Sequence, residues 1–127
     1  MIVVDASAAL TALLNDGPAR RLLGEERLHT PHLADSEVAN GLRRRVLADQ
    51  LSAADAWVAL DTWRRLAVTR FAVHTLLDRV WQLRENVSAY DASYVALAEN
   101  LDCALVTADA RLSRAAGIRC PITVVPR

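Results

Sequence analysis

The sequence predicts an α/β fold in which a mainly parallel sheet is covered by helices on both faces. Three observations carry this expectation. Short apolar runs rich in β-branched residues recur along the 127-residue chain. Stretches with helical spacing of apolar residues separate them. The separations are too long for hairpins, so successive strands run parallel through helical crossovers, giving a three-layer α/β/α arrangement.

In chain order, Ile2-Val3-Val4 reads as a buried strand ending at Asp5, and Ala6 to about Leu14 as a helix. Asn15-Asp16-Gly17-Pro18 is a turn cluster, and Ala19 to Leu23 fits a short helix. Arg27 to Thr30 reads as a second strand, stopped by Pro31, which has no donor for a ladder. Asp35-Ser36-Glu37 looks like a helix start, continued by Val38, Leu42, Val46 and Leu47. Ser52-x-x-Asp55 caps a further helix that carries Trp57, Leu60, Trp63 and Leu66. Val68 to Val73 is a candidate strand, and His74 to Arg84 a helix.

The stretch Val87 to Asp109 organises the rest. Ser88-x-x-Asp91 is a capping-box pattern with Asp in the acidic position, so a helix is expected from about Ala89. Val95, Leu97, Ala98 and Leu101 give that helix a core-facing side. Ala104 to Thr107 has the composition of a buried parallel strand. Asp109 follows it and opens a helical run from Ala110 to Ala116, and Ile122 to Val125 closes the chain as a last strand. We find no internal repeat, low-complexity tract or linker, so residues 1–127 are expected to form one domain.

Composition bounds the function. Apolar residues make up 53% of the chain, which favours a buried core, and the formal net charge is zero, which argues against a basic nucleic-acid coat. All fifteen basic residues are arginine. Without lysine there is no P-loop lysine and no Schiff-base chemistry. Cys103 and Cys120 are too few for a disulfide scaffold or a four-ligand zinc site, and are expected as reduced thiols at strand margins. No signal peptide and no membrane-spanning run is legible, so a soluble cytoplasmic protein is expected.

Four acids stand out by position. Asp5, Glu37, Asp91 and Asp109 each lie at or just inside a helix start, and Asp5 and Asp109 directly follow strand-like runs. Singly, each reads as a helix cap or dipole partner worth about 1 kcal/mol. As a group they read differently. If the two strands are sheet neighbours, Asp5 and Asp109 meet at their carboxyl ends, where open α/β sheets bind ligands. Two carboxylates about 5 Å apart repel by about 3 kcal/mol at an effective dielectric of about 20. A cluster of them therefore needs a cation or shared protons. Oxygen donors without Cys or His select a hard ion, Mg²⁺ or Mn²⁺, which activates water and stabilises developing phosphodiester charge.

The chain resembles the PIN-domain proteins, specifically VapC-type toxins of bacterial toxin–antitoxin pairs. The resemblance rests on IVVDASA at the start, HLADSEVANGLRR in the middle, AYDASYVALAENLDCALVTADARL and the terminal strand, and covers nearly the whole length. It implies a parallel sheet sandwiched by helices and an acidic quartet at Asp5, Glu37, Asp91 and Asp109. Asp5 and Asp91 would be the principal metal ligands, with Asp109 and Glu37 completing the site directly or through water. Ser7, Asn40 and Thr107 match positions that support the quartet. The implied activity is a Mg²⁺-dependent endoribonuclease, with Mn²⁺ as a substitute, in which metal-activated water attacks the phosphodiester in line. The implied partners are a VapB-type antitoxin, an RNA substrate and a second copy of the chain, docked through the helices bearing Trp57 and Trp63.

Arg43, Arg44 and Arg45 offer RNA-phosphate contacts, with Arg43 and Arg44 as the candidates, although three consecutive residues point to different sides of a helix. His29, His32 and His74 are scattered and read as ordinary surface or half-buried residues. Two alternatives accompany the nuclease. A catalytically silent PIN-fold module that binds RNA or a partner would be favoured by an incomplete quartet, and this one is complete. A phosphotransfer domain would need a second acid beside Asp5 and a lysine, which Ala6, Ser7 and the absence of lysine oppose.

Overall fold

The computed structural model describes residues 1–127. The central sheet has five parallel strands in the order β3-β2-β1-β4-β5, formed by β1 (Ile2–Val4), β2 (Leu28–Pro31), β3 (Val68–Phe71), β4 (Ala104–Thr107) and β5 (Ile122–Val124). Around it lie α1 (Ala6–Leu14), α2 (Pro18–Glu25), α3 (Leu33–Leu47), α4 (Ala53–Arg65), α5 (Leu77–Gln82) and α6 (Ala89–Asn100). The expected α/β/α sandwich is the observed fold.

The chain leaves β1 toward β2 and β3 on one side, then returns to place β4 and β5 on the other. Val4 pairs in register with Val106, so β1 and β4 end side by side at the point where the winding reverses. Crevices at such points are the usual ligand sites of this architecture. Val3, Val4, Leu105 and Val106 are fully buried, as strands covered on both faces require.

Helix α6 packs against β1, β2 and β4, and every residue from Ala92 to Ala98 is buried. It is thus buried all round, beyond the single core-facing side that its spacing predicts. On the other helices, α1 contacts α2, α3 and α4. Helices α1 and α3 meet closely at Gly41, where a Cβ would displace the tip of the Leu10 side chain. Glu37 lies one turn earlier on α3, so this close approach carries it toward the start of α1.

Several expectations need correction. Pro31 is the last residue of β2 instead of its stop; it takes its place opposite Phe71, and the next donor is His32 N–H to Phe71 O (3.0 Å). Helix α3 begins at Leu33, two residues before Asp35, with no side-chain cap. The third strand ends at Phe71, and the expected helix from His74 is a 3₁₀ turn (His74–Leu76) followed by the short α5. A 3₁₀ segment (Ala110–Arg114) likewise replaces the helical run after Asp109. The tryptophans divide: Trp63 is buried, whereas Trp57 and Trp81 are exposed. Trp63 is therefore unavailable to a dimer interface. Cys103 and Cys120 are free and half-buried, each just before a strand. No helix is long and apolar enough to cross a membrane.

Candidate active site

Asp5 ends β1 and is the N-cap of α1, its carboxylate accepting from Ala8 N–H (2.9 Å). The same carboxylate accepts from Ser7 Oγ (2.6 Å) and from Thr107 Oγ1 (2.5 Å). Those two hydroxyls also accept backbone N–H groups, Ser7 from Ala108 and Thr107 from Asp109. The first acid is thus wired to the strand end that carries the fourth. Asp109 caps the 3₁₀ segment by accepting from Arg111 N–H, and a two-pronged Arg111 ion pair closes on it (3.0 Å).

Asp91 sits in the first turn of α6, whose cap is Ser88 Oγ accepting from Asp91 N–H (3.1 Å). Glu37 arrives from α3 and accepts a hydrogen bond from Tyr94 O–H (2.5 Å), one turn after Asp91 on α6. All four carboxylates line one cavity of about 550 Å³, together with Ser7, Tyr94, Arg44, Arg45 and Arg127. Bringing the four acids together is what the sequence expects; nothing else in the chain gathers so many.

The electrostatics record the crowding. Burial pushes the Asp5 carboxyl above the usual carboxylate range despite its three donors, and Asp91 pushes it further. Burial also raises Glu37 against the Tyr94 hydrogen bond, with repulsion from Asp5 and Asp91 adding to the rise. Asp91 is raised by burial and then by the Asp109 charge. Asp109 alone is held low, by the Arg111 guanidinium.

These shifts set a pH dependence. A carboxyl raised in the folded state binds protons that the unfolded chain has already released, so stability falls as pH rises. From neutral pH downward, the metal-free protein is expected to gain stability until the raised groups Asp5, Glu37 and Asp91 are protonated. Below the ordinary carboxylate range it loses stability again, as Asp35, Glu99 and Asp109, held low by their arginines, take up protons. Melting temperatures measured from pH 8 to pH 3 check this; a monotonic fall on acidification contradicts it.

No three of the His, Cys, Asp and Glu side chains converge into a ready ligand cage; hydroxyls, Tyr94 and Arg111 hold the carboxylates instead. The donor set nonetheless fits a hard divalent cation, because the cavity offers carboxylate oxygens and neither His nor Cys. Asp5, Asp91 and Asp109, the expected ligands, all face it. Two other expected residues do not. Asn40 is exposed and outside the lining, its Oδ1 accepting from Arg43 (3.5 Å). Arg43 lies instead along a second, apolar groove between α3 and α4, so it is no candidate for phosphate contacts at this cavity. Arg44 does line the cavity.

Residues that sequence reasoning missed are Tyr94, Arg111 and Arg127, and Arg45, named only as part of the arginine run, joins Arg44 in the lining. Arg127 Nε donates to Ala108 O (3.2 Å) at the end of β4. Tyr94 was legible in principle, since it follows Asp91 by three positions on one helix face. The three cavity arginines form the local basic rim that a chain of zero net charge needs to meet an anion.

Comparison with known proteins agrees with this arrangement. The PIN domain family model matches residues 2–118. Ribonuclease VapC9 of Mycobacterium tuberculosis is 68% identical over 127 residues, covering all of both chains. Two crystal structures share the fold. Mycobacterium tuberculosis VapC20, described as a sarcin-ricin loop cleaving toxin, superposes with TM-score 0.69 at 22% identity, covering 94% of this chain and 97% of that one. PAE2754 from Pyrobaculum aerophilum does so with TM-score 0.71 at 25% identity, covering 95% and 81%. By the family model and by full-length identity alike, the chain belongs to the PIN domain family, in its VapC branch.

Proposed function

We propose that this protein is a Mg²⁺-dependent endoribonuclease, the toxin of a type II toxin–antitoxin pair, acting as one domain over residues 1–127. The observation that carries this reading is the meeting of Asp5, Glu37, Asp91 and Asp109 in one arginine-rimmed cavity at the carboxyl ends of β1 and β4. The ribonuclease VapC9, alike over its full length, supports the substrate class.

In this reading Asp5 and Asp91 would be the principal ligands of the cation, and Asp109, which is paired with Arg111 here, would complete the set directly or through water. A bound divalent ion supplies water activation and stabilisation of developing phosphate charge. Ser7, Thr107 and Ala8 N–H hold the Asp5 carboxylate in one orientation, so that little reorganisation accompanies binding. Glu37 faces the same space and would complete the cation site directly or through water. Arg44, Arg45 and Arg127, which line the cavity, would meet the phosphates of the RNA backbone. Mn²⁺ substitutes for Mg²⁺, as the oxygen-only donor set allows.

A cognate VapB-type antitoxin is the expected partner, and cytoplasm the expected location. A homodimer is expected with Trp57, not Trp63, available to the contact. Incubation of end-labelled total tRNA and rRNA with the purified protein tests the reading. Discrete fragments bearing 5′-phosphate and 3′-hydroxyl ends are expected with Mg²⁺, and none with EDTA or with Asp91→Asn. Intact RNA in both Mg²⁺ and Mn²⁺, from folded antitoxin-free protein, would turn the reading to an RNA- or partner-binding module.

A further inference from the structure

Glu37 and Tyr94 are 57 residues apart in sequence, on α3 and α6, yet the phenol O–H and the Glu37 Oε1 are 2.5 Å apart. Tyr94 is 2% exposed and belongs to the hydrophobic core, on a helix that packs against β1, β2 and β4. The hydroxyl is therefore a fixed point. Glu37 is only partly buried and has three side-chain torsions, so it has no comparable rigidity of its own.

The charges around Glu37 would move it away. Asp5 and Asp91 both repel it, and the guanidinium of Arg44 on the same helix draws it toward the rim. Against these, Tyr94 is the one hydrogen-bond donor that reaches the carboxylate. The bond engages Oε1 and leaves Oε2 without a protein donor, on a residue that lines the cavity. A buried tyrosine hydroxyl needs some acceptor, and a main-chain carbonyl would serve a purely structural role. The acceptor here is a carboxylate of the cavity.

We infer that Tyr94 is a positioning residue, which holds Glu37 against the repulsion of its neighbours and aims one carboxylate oxygen at the reaction centre. The inference rests on the nuclease reading and adds a residue to it.

Tyr94→Phe removes the hydroxyl and keeps the ring, so the fold is expected to persist, with an unchanged circular dichroism spectrum and a cooperative melt. Outer partners of metal-site residues are commonly worth about 10-fold or more in affinity or activity. We accordingly expect kcat on one RNA cleaved by the wild type to fall about 10-fold or more, with KM within about 2-fold. Mg²⁺ alone, titrated calorimetrically, should bind the variant several-fold more weakly.

The same titration on Glu37→Gln and on the double variant separates positioning from packing. If Tyr94 acts through the Glu37 carboxylate, Tyr94→Phe adds little to Glu37→Gln. An equal loss of Mg²⁺ affinity in both backgrounds, or a Tyr94→Phe protein with wild-type kcat and Mg²⁺ affinity, overturns the inference and leaves the nuclease reading standing. Wild-type protein that neither binds Mg²⁺ nor cleaves RNA overturns both.

Discussion

Asp5→Asn is expected to abolish RNA cleavage, with a loss of about 10³-fold or more, while leaving the protein folded. The substitution removes a charge and keeps the shape. Asparagine caps helices as well as aspartate does, so the bond from Ala8 N–H and the start of α1 survive. What is lost is the anionic oxygen that Ser7 and Thr107 orient, and several kcal/mol of cation-borne stabilisation corresponds to this factor in rate. The charge of Asp5 is also a burden to the metal-free fold, since burial and Asp91 disfavour it. The variant should therefore melt no lower than the wild type without metal. Single-turnover cleavage beside a thermal melt measures both; wild-type turnover from a folded Asp5→Asn protein contradicts the role.

Trp63→Ala is expected to be the most damaging change away from the cavity, costing about 3–5 kcal/mol. The side chain is 1% exposed and its indole N–H donates to Asp35 Oδ1 (2.8 Å). The Arg70 guanidinium lies 5.6 Å from the Trp63 ring centre and its Nε pairs with the same Asp35 (2.8 Å). One side chain thus ties α4 to α3 and to the edge strand β3. Truncation leaves a cavity under all three. For a chain of this size the melting temperature should fall by roughly 10–20 °C. Trp57→Ala, on the exposed face of the same helix, should change stability by no more than about 0.5 kcal/mol. Similar losses from both variants would contradict the division of the two tryptophans.

That division shows where sequence stops. Trp57 and Trp63 are six positions apart, about 120° around a helix, and apolar content alone does not say which faces the core. The arginine run poses the same problem: Arg44 and Arg45 reach the cavity and Arg43 the opposite groove, because consecutive positions turn by about 100°. What was legible came from patterns with a single physical cause. Val3, Val4, Leu105 and Val106 are β-branched or apolar in unbroken runs because both faces of their strands are covered. Asp5 and Asp109 stand at element starts, where backbone N–H groups need acceptors, and Asp91 follows the Ser88 cap by three positions. Helix α3 escaped its predicted start since it has no capping side chain. The link between Tyr94 and Glu37 depends on how α3 and α6 pack, which no local spacing encodes.

Calorimetric titration of Mg²⁺ into the antitoxin-free protein and into Asp5→Asn tests the central claim most directly, that the crowded carboxylates form a cation site. The wild type should show saturable binding and a higher melting temperature in Mg²⁺, and Asp5→Asn should show neither. Equal binding by both proteins, or none by the folded wild type, would contradict it.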